Sequence, residues 1–168
     1  MNLFKGGRKV VHVKDVLADQ LLANANDPSW YIPFSDAVKD LSEREAFWKP
    51  NEESNSIAEI VQHLLYWNST WQTRYKESNV NAVPAIGDNN KSFMLSNNQS
   101  FDELREKLLE KLLQWQKLID EEKVECDVVG FPVSAKWWEV LANVTTHNAY
   151  HIGQIIYIRK LQKSFENE

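Results

Sequence analysis

The sequence predicts an all-α protein built as a bundle of four long helices. Four segments repeat bulky apolar residues at every third or fourth position, which is the spacing of one helix face. A serine followed three residues later by glutamate precedes two of these segments, and this pattern marks a helix start. Only five Gly and five Pro occur among the 168 residues, which disfavours a loop-rich β architecture. With 43% hydrophobic residues, we expect one domain over residues 1–168.

The first half of the chain predicts two of the long helices. The first ends at Asn26-Asp27-Pro28, because these residues continue a helix poorly. The stretch from Pro33 to Pro50 is interpreted as a connection with one or two helical turns. The second long helix begins at the capping box Ser56-Ile57-Ala58-Glu59. The apolar residues are Val13, Val16, Leu17, Leu21 and Leu22 in the first helix and Ile57, Ile60, Val61, Leu64, Trp67 and Trp71 in the second.

The second half predicts a long loop and the other two helices. Residues Glu77 to Asn98 are rich in Asn, Gly, Pro and Ser, so we expect a loop that covers a pocket. The third helix follows a second capping box, Ser100-Phe101-Asp102-Glu103. Residues Val124 to Pro132 allow a brief extended segment. We expect Ser134 to cap the fourth helix.

Charge and cysteine content limit the partners and the compartment. The net charge of −5 opposes binding to nucleic acid, and the basic residues Lys5, Arg8 and Lys9 are predicted to form a solvated arm. No apolar stretch is long enough to span a membrane, and no signal peptide is recognisable. The single cysteine, Cys126, cannot form an internal disulfide and is predicted to be a buried, inert thiol. We therefore expect a cytoplasmic protein.

Three of the four histidines occupy positions typical of metal ligands. His147 and His151 are four residues apart on the fourth helix, so their rings project from one face. His63 interrupts the apolar stripe of the second helix and is expected to meet them across the core. Three imidazoles leave a coordination position open, which favours chemistry over a purely structural site. His12 is interpreted as a surface or first-helix residue.

These histidines fit a plain core, a zinc protease or a di-iron site less well. One buried histidine is more often a hydrogen-bonded core residue than a ligand, but three on inward-facing stripes favour one divalent transition metal. A zincin protease needs glutamate directly after the first histidine, where this chain has Asn148. A di-iron bundle needs glutamate three residues before its histidines, and none stands there. Imidazole suits several metals, so the sequence does not select the ion.

Further residues are predicted to surround the metal. Gln154 lies three residues after His151, where it could orient that ligand or contact a substrate; an ordinary hydrogen bond at the edge of the core is the alternative. Four aromatic side chains could wall a pocket, although aromatic residues at helical spacing more often pack in the core. Two polar residues are weaker candidates for the pocket rim. The aromatic residues are Trp67, Trp71, Tyr150 and Trp138, and the polar ones are Asn148 and Arg159.

The chain resembles the DinB/YfiT-like superfamily of bacterial four-helix-bundle proteins. The resemblance rests on residues 56–63, SIAEIVQH, and residues 147–154, HNAYHIGQ, which look like the two ligand segments of that family. It implies an up-down-down-up bundle, often a homodimer, in which His63, His147 and His151 bind nickel, zinc, manganese or iron. Members include metal-dependent hydrolases, transferases that join thiols such as bacillithiol or mycothiol to electrophiles, and damage-inducible proteins of unknown activity.

The resemblance leaves three functions open, in a fixed order of preference. Transfer of a low-molecular-weight thiol to a small-molecule substrate comes first, because an open metal position would bind sulfur and lower its pKa. Hydrolysis comes second, since it needs a carboxylate base and the nearest candidate, Glu59, fits better as a helix cap. The third is a non-enzymatic, stress-related module that binds metal. No catalytic residue is assigned.

Overall fold

Six α-helices make up the computed structural model, which describes residues 10–165, and this part of the chain contains no strand. The predicted all-α class is therefore confirmed, while Lys5, Arg8 and Lys9 lie outside the described residues. Short 3-10 helices occupy parts of the connections. The α-helices are α1 Val13–Ala25, α2 Phe34–Ala37, α3 Glu43–Phe47, α4 Ile57–Lys76, α5 Phe101–Leu118 and α6 Trp137–Phe165, and the 3-10 helices are Val80–Ala82, Asn89–Phe93 and Lys123–Glu125.

Side-chain caps fix the starts of α4 and α5, and the predicted capping box is complete at α4 but only half-formed at α5. The hydroxyl of Ser56 accepts a hydrogen bond from the backbone N–H of Glu59, and the Glu59 carboxylate accepts one from the N–H of Ser56 at 2.7 Å. At α5, the hydroxyl of Ser100 accepts from the N–H of Glu103 at 3.2 Å. These bonds satisfy N–H groups that have no partner within their own helix.

The fourth long helix begins later than predicted, at Trp137 instead of just after Ser134. The chain before it is held extended, because the N–H of Val128 donates to the carbonyl of Ala135 at 2.8 Å. Glu139 provides the cap, accepting from the N–H of Lys136 at 2.7 Å. The expected extended segment thus exists as isolated pairings, and Ser134 is an exposed residue with no part in the cap.

The four long helices pack in a ring in which α1 and α4 each contact both α5 and α6. Their apolar faces form two clusters, and the leucines of α5 run through the first. Val13 and Val16 of α1 are 38% and 51% exposed, so they lie outside this core. One cluster includes Phe34, Ile57, Val61, Leu64, Leu104, Leu108 and Ile155; the other includes Leu21, Tyr75, Trp115, Trp137 and Leu141.

Hydrogen bonds and ring contacts join the ends of the helices. At one end, the N–H of Phe101, the first residue of α5, donates to Glu43 of α3 at 2.8 Å, and α3 packs against α4. At the other end, Tyr75 of α4 accepts from the N–H of Asp120, just beyond α5. The ring of Tyr75 also meets that of Trp137 at 5.3 Å, edge to face. These contacts hold the elements together at both ends of the bundle.

A buried amide pair ties α4 to α6 in the centre of the bundle. Asn68 and Asn148 are both 0% exposed, and the Asn68 amide donates to the Asn148 side-chain oxygen at 2.8 Å. The side-chain oxygen of Asn68 accepts from the indole N–H of Trp115 at 2.9 Å, and its amide also donates to the carbonyl of Leu64. Because buried polar groups are costly when unpaired, this network fixes how α4 and α6 sit against each other.

The sequence predicts how far Cys126 and His12 are exposed, wrongly for Cys126. Cys126 is exposed, whereas the sequence predicts a buried thiol, because it lies in the connection before α6 and not on a helix face. His12 is exposed as expected, with its Nδ1 2.9 Å from the carboxylate of Glu121. Within residues 10–165, no helix combines the length and apolar character needed to cross a bilayer.

Candidate metal centre

Three histidine side chains from two helices converge in the interior of the bundle. His63 comes from α4 and is 2% exposed, while His147 and His151 come from successive turns of α6. The Nε2 atoms of His63 and His147 are 3.0 Å apart, and one ring nitrogen from each histidine lies within 4.8 Å of the others. The three side chains that the sequence singles out are therefore brought together.

A serine from the loop after α4 sets the tautomer of His63. The Ser92 hydroxyl donates its proton to the carbonyl of Asn89 at 2.5 Å, so its oxygen can only accept from the ring. The Nδ1 atom of His63 lies 2.6 Å from that oxygen and must carry the hydrogen. The lone pair of His63 is then on Nε2, the atom that faces His147.

Gln154 sets the tautomer of His151 in the same way. Its side-chain oxygen lies 2.7 Å from Nδ1 of His151, and an amide oxygen can only accept a hydrogen bond. Nδ1 therefore carries the hydrogen, and Nε2 holds the lone pair. Residues that bond the outer nitrogen of a ligand histidine in this manner orient the ring and raise its basicity. The predicted orienting role of Gln154 is consistent with this contact.

The surroundings keep the histidines neutral. Burial lowers the pKa of His63 to about 3, with further lowering by His151 and His147. Burial likewise lowers the pKa of His147 to about 4, helped by His151, and it lowers the pKa of His151 against a smaller opposing effect of the Gln154 hydrogen bond. Only neutral imidazole can bind a metal, so the cluster is ready for one without losing protons near neutral pH.

A cavity of about 470 Å³, which we call the metal cavity, opens onto the histidines. Trp67, Trp71 and Tyr150 all line it, and Tyr150 is 64% exposed. Asn68 and Asn148, the buried amide pair, also contribute to the lining. The complete lining is His63, Trp67, Asn68, Trp71, Asn89, Phe93, Asn143, Val144, His147, Asn148, Tyr150 and His151.

Two of the residues predicted to surround the metal lie elsewhere. Trp138 packs against the hydrophobic cluster around Trp137 and is absent from the lining, because it lies about two and a half turns before His147 on α6. Arg159 donates to the carbonyl of Ala37 at 2.8 Å and fastens α6 to α2. The core-packing alternative therefore holds for Trp138, and the prediction that Arg159 lies at the rim of the metal cavity is wrong, since a shared helix does not guarantee a shared face or depth.

The loop between α4 and α5 contributes side chains that no sequence motif marks. The ring of Phe93 stacks on His63, with centroids 3.9 Å apart and planes inclined by 12°. Trp67 donates its indole N–H to the side chain of Asn89 at 3.2 Å. The expectation that this loop covers a pocket fits these contacts. Ser92 and Phe93 themselves were not predictable, because only the folded loop places them against α4.

Comparisons with known proteins identify the family. A family model described as the DinB superfamily matches residues 34–155. This chain belongs to the DinB superfamily. The resemblance inferred from the two histidine segments is thus confirmed, and all three histidines fall within the matched DinB superfamily region, whereas α1 precedes it.

A solved structure supports the same fold. The crystal structure of a DinB-like protein from Bacillus subtilis, YjoA, is 18% identical to this chain, with a TM-score of 0.64. The similarity covers 88% of this chain and 92% of that chain. A search of the curated proteins finds no significant match. At this identity, the likeness to YjoA establishes the DinB-like fold alone.

The donor set in this DinB superfamily protein fits a metal ion. Three neutral nitrogen ligands from His63, His147 and His151 match the sites in which three protein ligands leave a position for substrate. Outer hydrogen bonds from Ser92 and Gln154 complete the usual support for such ligands. The metal cavity is lined by all three histidines, so a small molecule that enters it could reach an ion held there.

Lowering the pH from 7 to 5 is expected to destabilise the metal-free protein. Unfolded histidines titrate near pH 6.5, whereas folded His63 and His147 have pKa values of about 3 and about 4. The unfolded state therefore binds more protons in this window, and each histidine lowers the free energy of unfolding by about 1.4 kcal/mol per pH unit below 6.5. The stabilising contribution of each neutral histidine is complete above the pKa of the unfolded state and is lost as the pH falls toward the pKa of the folded state.

Urea unfolding in a chelating buffer at pH 7, 6 and 5 measures this slope. The His63→Ala variant should show a shallower slope, because it lacks one of the buried neutral histidines. The carboxylates with lowered pKa values, among them Glu45 and Glu59, titrate below this window. Equal stability at pH 7 and 5 would contradict the neutral, buried state of the cluster.

Proposed function

We propose that this DinB superfamily protein is a metal-dependent enzyme that transfers a low-molecular-weight thiol, of the bacillithiol type, to an electrophilic small molecule. The observation that carries the proposal is the lining of the metal cavity. Three neutral imidazoles face it, and none of the described residues that line it is Asp or Glu. Such a site suits a reaction in which the attacking atom needs no carboxylate base.

His63, His147 and His151 would hold the ion, with nickel, zinc, manganese and iron as the proposed choices. A bound divalent metal would lower the pKa of a coordinated thiol and so supply a thiolate at neutral pH. The side chains of Ser92 and Gln154 keep the two outer Nδ1 protons in place, so Nε2 of His63 and Nε2 of His151 carry the lone pairs that would bind the ion. The aromatic walls limit water around the open position.

Hydrolysis is the second candidate function, and the position of Glu59 counts against it. A metal-bound water normally needs a carboxylate to take its proton. The Glu59 carboxylate instead caps α4 through Ser56 and pairs with Lys49 at 2.7 Å. A non-enzymatic, stress-related metal module comes third, because the metal cavity is open at Tyr150 and not sealed as a purely structural site would be.

Thiol binding to cobalt-loaded protein tests the proposed function. We expect bacillithiol to produce a thiolate-to-metal charge-transfer band, and we expect thiol conjugation to monochlorobimane to require metal. Chelator-treated protein and His63→Ala should show neither signal. Rapid hydrolysis of a nitrophenyl ester by metal-loaded protein, together with no charge-transfer band for any thiol, would overturn thiol transfer in favour of hydrolysis.

The helix directions, the oligomeric state and the compartment form a further part of the proposal. An up-down-down-up order is supported by Tyr75, which meets both the end of α5 and the start of α6. A homodimer follows from the family resemblance. A cytoplasmic location is supported by the exposed free thiol of Cys126, which suits a reducing compartment. The net charge of −5 supports a small-molecule substrate over nucleic acid.

A further inference from the structure

A second cavity, of about 670 Å³, lies beside the metal cavity. One wall is the segment from Pro50 to Asn55 that precedes α4, and the other is the outer face of α6. Its volume is that of a pocket for a small molecule. We call it the tyrosine cavity, and its lining is Pro50, Asn51, Glu53, Ser54, Asn55, Ile60, Tyr150, Gly153, Gln154, Tyr157, Ile158 and Leu161.

Two residues connect the tyrosine cavity with the metal cavity. Tyr150 lines both, so its side chain forms a shared wall. Gln154 lines the tyrosine cavity while its side-chain oxygen holds the Nδ1 proton of His151 at 2.7 Å. A molecule in the tyrosine cavity would therefore lie next to the group that orients a histidine of the metal centre.

The outer face of α6 leaves room for an apolar body. Tyr150 and Tyr157 are 64% and 63% exposed although both are large aromatic residues. They are seven residues apart, which places them about 10 Å apart along the helix. Gly153 lies between them, and a Cβ atom added there would meet nothing within 4 Å. The two rings thus border a slot whose floor is bare backbone.

The charge of the lining selects one kind of ligand. Glu53 is the single charged residue among the described residues that line the tyrosine cavity, and amide and hydroxyl groups supply the remaining polarity. A carboxylate that shares a cavity with two tyrosine rings can attract an ammonium group by charge pairing, and the rings can add cation–π contact. The same lining repels a carboxylate. A protonated amine attached to an apolar body fits both the charge and the space.

We propose that the tyrosine cavity binds the amine-bearing, apolar part of a ligand whose other end reaches the metal centre past Tyr150. Glu53 pairs with the ammonium, and the body lies over Gly153 between the two tyrosines. Binding of the amine end needs no metal. The reach of the same molecule to the histidines rests on the proposed metal-dependent function, so the two halves are tested separately.

Benzylamine and benzoate, titrated by NMR into chelator-treated protein, test the amine end alone. We expect benzylamine to bind at least about fivefold more tightly than benzoate, because the amine gains a charge pair with the exposed Glu53 while the carboxylate is repelled by it. Gly153→Leu should abolish benzylamine binding by filling the slot, while Thr146→Leu, an exposed α6 position outside the lining, should not. Glu53→Gln should remove the preference, whereas the neighbouring Glu52→Gln should keep it.

Equal binding of the two probes, or an unchanged benzylamine affinity in Gly153→Leu, would overturn the amine site whatever the metal does. The second half uses cobalt-loaded protein with 4-(aminomethyl)benzenethiol and benzenethiol, followed by the charge-transfer band. The aminomethyl probe should bind at least about fivefold more tightly, and Glu53→Gln should cancel that gain. Equal affinities would overturn the two-ended ligand, while absence of any band would count against the thiol function and leave the benzylamine result standing.

Discussion

Replacing His63 with alanine is expected to abolish stoichiometric metal binding. Nε2 of His63 carries a lone pair and lies 3.0 Å from Nε2 of His147, and His63 is the one candidate ligand that α4 supplies. Structural zinc sites with four ligands are worth about 10–16 kcal/mol, so one ligand accounts for roughly 2.5–4 kcal/mol. The affinity should therefore fall at least about a hundredfold. Elemental analysis after dialysis and competition with a chromophoric chelator measure the loss.

The matched control is His12→Ala, because His12 is an exposed histidine paired with Glu121 at the surface. We expect this variant to keep one metal per chain. Circular dichroism establishes whether the His63 variant retains its helices. One metal per chain at wild-type affinity in a folded His63→Ala protein would contradict the proposed metal centre. The three histidines would then be interpreted as ordinary core residues.

Asn68→Ala is expected to lower the free energy of unfolding by about 2–4 kcal/mol. The side-chain oxygen of Asn68 accepts from the indole of Trp115, and its amide donates to Asn148, with both asparagines fully buried. Removing it takes the acceptor from the Trp115 indole N–H and both partners from the Asn148 side-chain amide, and each unsatisfied buried group costs about 1–3 kcal/mol. Urea unfolding of the chelator-treated protein measures the change.

Asn97→Ala provides the comparison for this measurement, because Asn97 is an exposed loop residue. Its stability should stay within about 0.5 kcal/mol of the wild type. The Asn68 variant should also bind metal more weakly, since the amide pair fixes α4 against α6 and thereby His63 against His147. A loss below about 0.5 kcal/mol in Asn68→Ala would show that the network is relaxed by water and does not align the helices.

Local signals account for the parts of the fold and site that the sequence predicts. The capping box at Ser56 and Glu59 depends on four consecutive residues, so it is readable without tertiary information and holds in the structure. The convergence of the histidines follows from helix geometry, because His147 and His151 share a face and His63 interrupts an apolar stripe that must face the core.

Long-range packing decides the parts that the sequence does not predict. Phe93 lies thirty residues after His63 and stacks on it only because the loop folds back over α4. Cys126 is exposed and Ser134 fails to cap α6 because the pairing of Val128 with Ala135 sets the local backbone. Residue type and spacing carry no information about such contacts, whose partners come from distant segments.

The contact between Ser92 and His63 couples the closure of the loop between α4 and α5 to the binding of metal. Holding the loop between α4 and α5 in place keeps the Nδ1 proton of His63 directed outward, so the free energy of loop closure forms part of the affinity for metal. By thermodynamic reciprocity, a bound ion stabilises the closed loop by the same amount. Occupancy of the buried centre would thus be reported at the surface by the protection of residues 89–93 against proteolysis or amide exchange.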